Sequence, residues 1–332
     1  MSNLKLKGKN VALITPDMYD YPGEIIKAIE YYGAKVVFFR DRPQNASSRF
    51  LRNVTPQIHE KIRDAFLQNM LLKLRNETID FVLLIKGTAI TSDFLKQFKL
   101  EHPTTKIIMY QWDVDHIHPY LHLIDFVDSC FVFDANELPL HPKLKYLPLF
   151  FISSYKTLRD SNTEKDIDLL HIGTLHEGRY KQIIDIEKQL ASSNLNIFIY
   201  LFLPFTGWVK ELLKLKFYLR VKFKSLKQSD ILALYRRSKA VLDIPQIGQL
   251  GLTMRTFEVL GAHKKLITTN ATILKEKIYS NELVYVLKHD TRSIQDFLKS
   301  EIVVTAEMAE SIEKYGIDNW VKQLFEISEL FS

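Results

Sequence analysis

Gly248, Gly251, Arg255 and Glu258 crowd one loop and the short helix expected after it, at residues 254–262. Glycine lets a backbone approach a ligand closely. The first turn of a helix carries N–H groups that have no partner inside the helix. Such amides, with a guanidinium beside them, suit a diphosphate. The glycine loop, the first amides of the helix and Arg255 could supply those contacts. Glu258 shares a helix face with Arg255, and its carboxylate suits two neighbouring ribose hydroxyls. The spacing equally permits an exposed Arg–Glu surface pair. Gly261 is expected to end the helix, and an apolar strand at 265–269 leads to Asn270.

Two further loops carry reactive types. Gly173 and Thr174 read as a turn into a helix whose first turn holds Arg179. A cation there opposes the helix dipole, so a bound anion would account for it; a solvent-facing arginine is the plainer account. Residues 109–119 end an apolar strand with Asp113, Asp115, His116 and His118. Asp113 is the first choice for a base taking a proton from an acceptor hydroxyl, with Asp17 and His116 behind it. Helix capping by Asp113, Asp115 or Asp20 is the alternative use of those carboxylates. The Asp-x-Asp-His-x-His pattern offers metal-ligating atoms but matches no closed zinc spacing, so no metal is expected. Arg40–Asn45 could hold an anionic acceptor, and Lys86-Gly87-Thr88 follows a third strand.

The elements that must position these residues alternate short apolar runs with amphipathic stretches, the pattern of parallel α/β sheets. Strands are expected at 10–15, 35–39, 81–85, 106–110, 129–133 and 146–151, with helices at 23–32, 55–76, 91–100 and 119–126. Residues 153–165 turn polar and lose periodicity, and read as a linker. The cycle then restarts, with strands at 168–172, 196–203, 240–244, 265–269 and 283–287. Helices are expected at 179–193, 208–224, 229–238, 254–262, 271–279 and 293–300, and a last helical region at 306–330. The domains are therefore 1–152, 166–305 and a C-terminal helical piece, 306–332, that would pack back on the first. Two doubly wound domains would face each other across a cleft, with ligands outside the carboxyl ends of the strands.

Bulk properties narrow the class. A chain of 332 residues with 46% hydrophobic and 25% charged content is an ordinary globular protein. One cysteine, Cys130, excludes an internal disulfide framework and fits a reducing compartment. The N-terminus has no apolar leader core before Val11, and no run reaches the ~18 uncharged residues of a membrane span. A cytoplasmic location is expected. The net charge of +6 is local: residues 208–227 hold seven Lys or Arg against Glu211 alone. Aromatics interleave there, which suits an anionic membrane surface as well as a core-packed helix with a solvated lysine face. Nucleic acid is not expected, since no recognition module accompanies the patch. There is no G-x-G-x-x-G, Walker or G-x-S-x-G motif.

Asp41-Arg-Pro-x-Asn45, Tyr110-Gln-Trp-Asp113, Phe131-Val-Phe-Asp134 and Leu147-Pro-Leu-Phe150 in the first half look like family landmarks. So do Ile172-Gly-Thr174, Gly251-Leu-Thr-Met-Arg-Thr-Phe-Glu258, Lys264-Lys-Leu-Ile-Thr-Thr-Asn270 and Tyr315-Gly-Ile-Asp-Asn-Trp320 in the second. Across most of its length the chain resembles bacterial GT-B glycosyltransferases of lipopolysaccharide and capsule synthesis, related to group 1 enzymes and distantly to the spore-maturation CgeB-like group. The resemblance implies two Rossmann-like domains. The second would bind a nucleotide-sugar donor through Gly173, Thr174, Arg179, Gly251, Leu252, Thr253, Arg255 and Glu258. The first would bind a saccharide or lipid-linked acceptor. No cofactor is implied beyond the donor itself. Gln246-Ile-Gly-Gln249 and Ala262-His263 depart from the family pattern. A nucleotide-sugar epimerase or hydrolase on this architecture, or a two-lobed sugar-binding protein without catalysis, are the alternatives; the membrane would be met, if at all, peripherally through 208–227.

Overall fold

The computed structural model describes residues 5–43, 56–160, 163–175, 177–191, 193–213, 218, 220–246 and 248–327. The expectations attached to Asn45, Lys214, Leu215, Lys216, Phe217, Leu219, Ile247 and the tail beyond 327 lie outside them. The chain divides into two compact units, 1–148 with 317–332, and 149–316.

In the first unit β1 (Asn10–Thr15), α1 (Tyr21–Tyr31), β2 (Lys35–Arg40), α2 (Pro56–Arg75), β3 (Phe81–Ile85), α3 (Ser92–Glu101), β4 (Lys106–Gln111), β5 (Ser129–Val132) and β6 (Leu144–Tyr146) alternate. The sheet is parallel throughout, in the order β2-β1-β3-β4-β5-β6. Residues of β1, β3 and β4 beyond the first are all buried, as strands covered on both faces must be. That accounts for their unbroken apolar runs. Thr91 caps α3 by accepting from the Phe94 N–H at 3.2 Å. Asp20 does not cap α1 with its side chain; Pro22 in the first turn supplies the preset φ instead.

The second unit runs β7 (Ile167–Thr174), α4 (Glu177–Leu190), β8 (Ile197–Phe202), α5 (Phe205–Leu213), β9 (Val221–Lys222), α6 (Gln228–Arg237), β10 (Ser238–Asp243), α7 (Met254–Gly261), β11 (Lys265–Thr268), β12 (Val284–Val286), α8 (Ile294–Lys299) and α9 (Ala306–Glu313). Its parallel sheet has the order β12-β11-β10-β7-β8-β9, the doubly wound arrangement with its switch point between β7 and β10. The last helix, α10 (Ile317–Leu324), belongs to the first unit and packs on α1. Trp320 on it meets the Tyr110 ring edge-on, with centroids 5.0 Å apart.

Four expectations about local structure are corrected. Gly173 and Thr174 are the paired end of β7, opposite Leu201 and Phe202, and not a turn. The sixth strand is Leu144–Tyr146, and Phe151 forms only a bridge to Gly316. Ser153–Leu158, read as linker, is a 3-10 turn that buries Tyr155 and Leu158 against α6 and α7; two apolar side chains three apart are enough to anchor a polar stretch. Finally, 208–224 is not one helix. α5 ends by Leu213, Arg220 takes a left-handed φ of 64°, and Val221–Lys222 satisfies the free edge of β8.

Candidate functional site

In the second unit the switch point gathers the chemistry. β7 ends at Gly173 and Thr174, and β10 ends at Asp243. The loop after β10 leads into α7, whose cap is Thr253. The Thr253 hydroxyl accepts from the Thr256 N–H at 3.3 Å and donates to the Asp243 carboxylate at 2.7 Å. Thr256 donates to the same carboxylate oxygen at 3.1 Å. The preceding loop is held from the other side: the Asn270 amide donates to the carbonyls of Leu250 and Gly251 at 3.2 and 3.1 Å. Capping of this kind leaves the N–H groups of Met254 and Arg255 without intrahelical partners.

Two arginines converge here. Arg255 donates to the Ile172 carbonyl. Arg179 donates to the carbonyls of Ile244 at 2.9 Å and Thr174 at 2.8 Å. It therefore ties the ends of β7 and β10 together. Burial and then the Arg255 charge push the Arg179 guanidinium below its ordinary value. Burial opposes the Arg255 charge as well, but Tyr235, Glu258 and Asp243 outweigh it and hold that guanidinium above its ordinary value. His171 lies beside both arginines. Its Nδ1 faces the Leu242 carbonyl at 2.9 Å, so Nδ1 carries the proton, and its buried Nε2 has no partner. Burial, then Arg255, lowers its pKa to about 3. The cluster thus keeps its positive charge on the guanidiniums and its imidazole neutral.

The expected donor residues are placed as follows. Gly173, Arg179 and Arg255 are half-buried and Thr174 is exposed. Gly251 and Leu252 are buried, with only Thr253 half-buried at the helix mouth. Glu258 was expected as an open acceptor for hydroxyls. It is only 7% exposed, and the Tyr235 hydroxyl donates to it at 3.4 Å. A ribose would have to displace that phenol. The reason is that α7 has its second turn packed under the sheet end, where Phe257, Val259 and Leu260 are buried.

The first unit carries its own polar cluster at the switch point between β1 and β3. Lys86, with a left-handed φ of 64°, follows β3 and pairs with Asp113. Its carbonyl is met by the Gln111 amide at 3.2 Å and by His118 Nε2 at 3.1 Å. Burial and then the Lys86 ammonium push His118 below the usual histidine range. The buried Asp41 carboxylate accepts from the Thr88 N–H at 3.0 Å. Thr15 Oγ1, Asp41 Oδ1, Thr88 Oγ1 and Gln111 Oε1 are buried here without hydrogen-bond partners.

The three candidate bases are not brought together. Asp113 sits on Lys86. Asp17 accepts from Arg40 at 2.9 Å. His116 is exposed. Asp115 caps the following turn, accepting from the Tyr120 N–H at 2.8 Å. Buried Glu137 accepts from the Asp115 N–H at 2.5 Å and the Tyr120 hydroxyl at 3.1 Å, fixing this loop. Asp113 and His118 thus share Lys86, while Asp115 is used in a cap and His116 is exposed. Sequence reading missed His171, Asp243 and Tyr235. A single histidine within the apolar run of β7 and an aspartate closing β10 are the signals that could have found the first two.

No protein-family model and no curated protein matches this chain. Solved structures do. An alpha-glucosyltransferase in complex with UDP and a 13-mer DNA is 13% identical, with 96% of this chain and 99% of that one aligned at a TM-score of 0.62. AviGT4, a glycosyltransferase involved in avilamycin A biosynthesis, is 11% identical over 96% of both chains, at 0.57. The trehalose 6-phosphate synthase of Burkholderia multivorans is 10% identical over 97% of both, at 0.57. The fold is that of the GT-B glycosyltransferases, two Rossmann-like α/β units each built on a six-stranded parallel sheet.

Proposed function

We propose that this protein is a glycosyltransferase that moves a sugar from a nucleotide diphosphate-sugar to an acceptor hydroxyl. The observation that carries the reading is the convergence of Arg179 and Arg255 at the β7/β10 switch point, at the mouth of α7. A diphosphate there meets two cations and the first-turn amides of one helix. Leaving-group stabilisation by fixed donors lowers the barrier without reorganisation at the moment of reaction. The neutral His171 beside them leaves the positive charge of the cluster to the two guanidiniums. Glu258 is the proposed ribose acceptor once Tyr235 yields.

In the transfer, the acceptor oxygen bonds to the anomeric carbon as the bond from that carbon to the phosphate oxygen breaks. The nucleoside diphosphate leaves with the electron pair, and the acceptor proton passes to Asp113 in an inverting reaction. A retaining reaction requires no such base. The acceptor we propose is a saccharide or lipid-linked saccharide of a bacterial surface polysaccharide, on the strength of the landmark motifs in both halves. No metal is proposed.

Calorimetry with UDP-, GDP-, dTDP- and CMP-linked sugars tests the donor assignment. One of the diphosphate donors is expected to bind and the monophosphate CMP-sugar to bind poorly. Arg179→Ala and Arg255→Ala should each weaken that binding by about tenfold or more, the usual consequence of losing a charge-assisted hydrogen bond. Unchanged affinity in both variants would overturn the assignment. Donor conversion without acceptor would favour an epimerase or hydrolase.

A further inference from the structure

α5 buries one side and leaves another apolar. Trp208 packs against the core of the second unit. Phe205, Val209 and Leu213 recur every fourth residue, so they form one stripe along the helix. They are 59%, 36% and 81% exposed. Phe223, next to the edge strand β9, is 48% exposed and meets Phe205 and Trp208 edge-on, with centroids 5.6 and 5.8 Å away. A soluble helix ordinarily turns such a stripe inward. Arg220, Lys222, Lys224 and Lys227, in the segment that carries Phe223, are exposed. Arg220 is engaged by Glu187 at 2.9 Å, whereas Lys222, Lys224 and Lys227 have no ion-pair partner among the described residues.

From this surface we infer that the second unit docks on an anionic lipid bilayer through the Phe205–Val209–Leu213 stripe and Phe223. Charge complementarity selects the occupant. An aromatic and aliphatic strip whose Phe223 is flanked in sequence by exposed lysines matches the acyl–headgroup boundary of a membrane carrying acidic lipids, where aromatics insert and long lysine side chains reach phosphates. A second copy of the chain would bring the same lysines against one another. No described helix is long and apolar enough to cross a membrane, so the contact is interfacial. The inference does not rest on the sugar-transfer reading, because the stripe lies on α5 and β9 and uses none of the switch-point residues.

Co-sedimentation of the full chain with vesicles of phosphatidylglycerol and phosphatidylethanolamine, against phosphatidylcholine alone, tests it. Binding to the acidic vesicles and its loss in high salt are expected. The double variant Lys222→Glu/Lys224→Glu should reduce partitioning by about tenfold or more, since each cation near an acidic surface adds appreciably to binding. Phe205→Ser/Leu213→Ser should abolish it while leaving far-ultraviolet circular dichroism unchanged. Two results would overturn the inference: equal sedimentation with and without acidic lipid, or a concentration-dependent dimer that Leu213→Ser dissolves while vesicle binding is absent.

Discussion

The Thr253 hydroxyl bridges two elements: it donates to Asp243, the last residue of β10, at 2.7 Å and accepts the Thr256 N–H in the first turn of α7 at 3.3 Å. One side chain therefore fixes where the helix begins relative to the sheet edge that holds Arg179. Thr253→Val keeps the shape and removes both bonds. It is expected to destabilise the protein by about 1–2 kcal/mol. Thr253→Ser should restore most of that in urea denaturation. If valine is tolerated as well as serine, the hydroxyl has no capping role.

Gly261 is small because of Phe151. A Cβ built at Gly261 would lie 2.5 Å from the Phe151 ring, a ring also flanked by Lys156 and Arg159. Gly261→Ala should therefore cost about 1–3 kcal/mol through overpacking. Phe151→Leu in the same chain should relieve part of it. A double-mutant cycle with no coupling, within about 0.5 kcal/mol, would separate the two residues energetically.

His171 makes stability depend on pH in a defined direction. Its folded pKa is about 3, against an ordinary value of 6.5, because burial and two guanidiniums disfavour the imidazolium. Between those values the unfolded chain binds a proton that the folded chain refuses. Stability therefore rises with pH through this window and is lost as pH falls from 6.5 towards 3. At pH 5 the loss amounts to roughly 2 kcal/mol for this group, before ordinary carboxylates protonate. His118 and His263 shift in the same direction, so the measurement compares the wild type with His171→Gln. A variant whose urea midpoints fall as steeply between pH 6.5 and 5 would exclude His171 as the cause.

Asp113 is proposed as the base, and Lys86 sits on it. Asp113→Asn should lower kcat by about a hundredfold or more while donor affinity, set in the other unit, stays within about twofold. A parallel loss of donor affinity, or a kcat near that of the wild type, would remove Asp113 from the mechanism.

The β-strands were legible because parallel sheets covered on both faces demand continuous apolar runs, and 11–14, 81–85 and 240–242 are such runs. Boundaries were less so. Gly173 and Thr174 looked like a turn because glycine favours one, yet β8 continues far enough to pair them. Gly261 does end α7, as its type suggested, but the left-handed residue is His263, with a φ of 52°, and Gly261 answers a ring packed against it. Residues 208–224 looked like one helix because their basic and apolar types alternate at helical spacing, but the open edge of β8 needed hydrogen bonds that only a strand supplies.

The sequence by itself determined the two α/β cycles, the helix starts that hold Arg179 and Arg255 and the loops that hold Asp113 and Lys86, because strand and helix periodicity are local properties of the chain. Tertiary structure decided which of those groups meet. Arg179 and Arg255 come together because β7 and β10, far apart in sequence, are neighbours in the sheet. Asp113 meets Lys86 because β3 lies beside β4. Glu258 is covered because the second turn of α7 packs inward. Strand order and burial depend on contacts between distant residues, and no local pattern contains them.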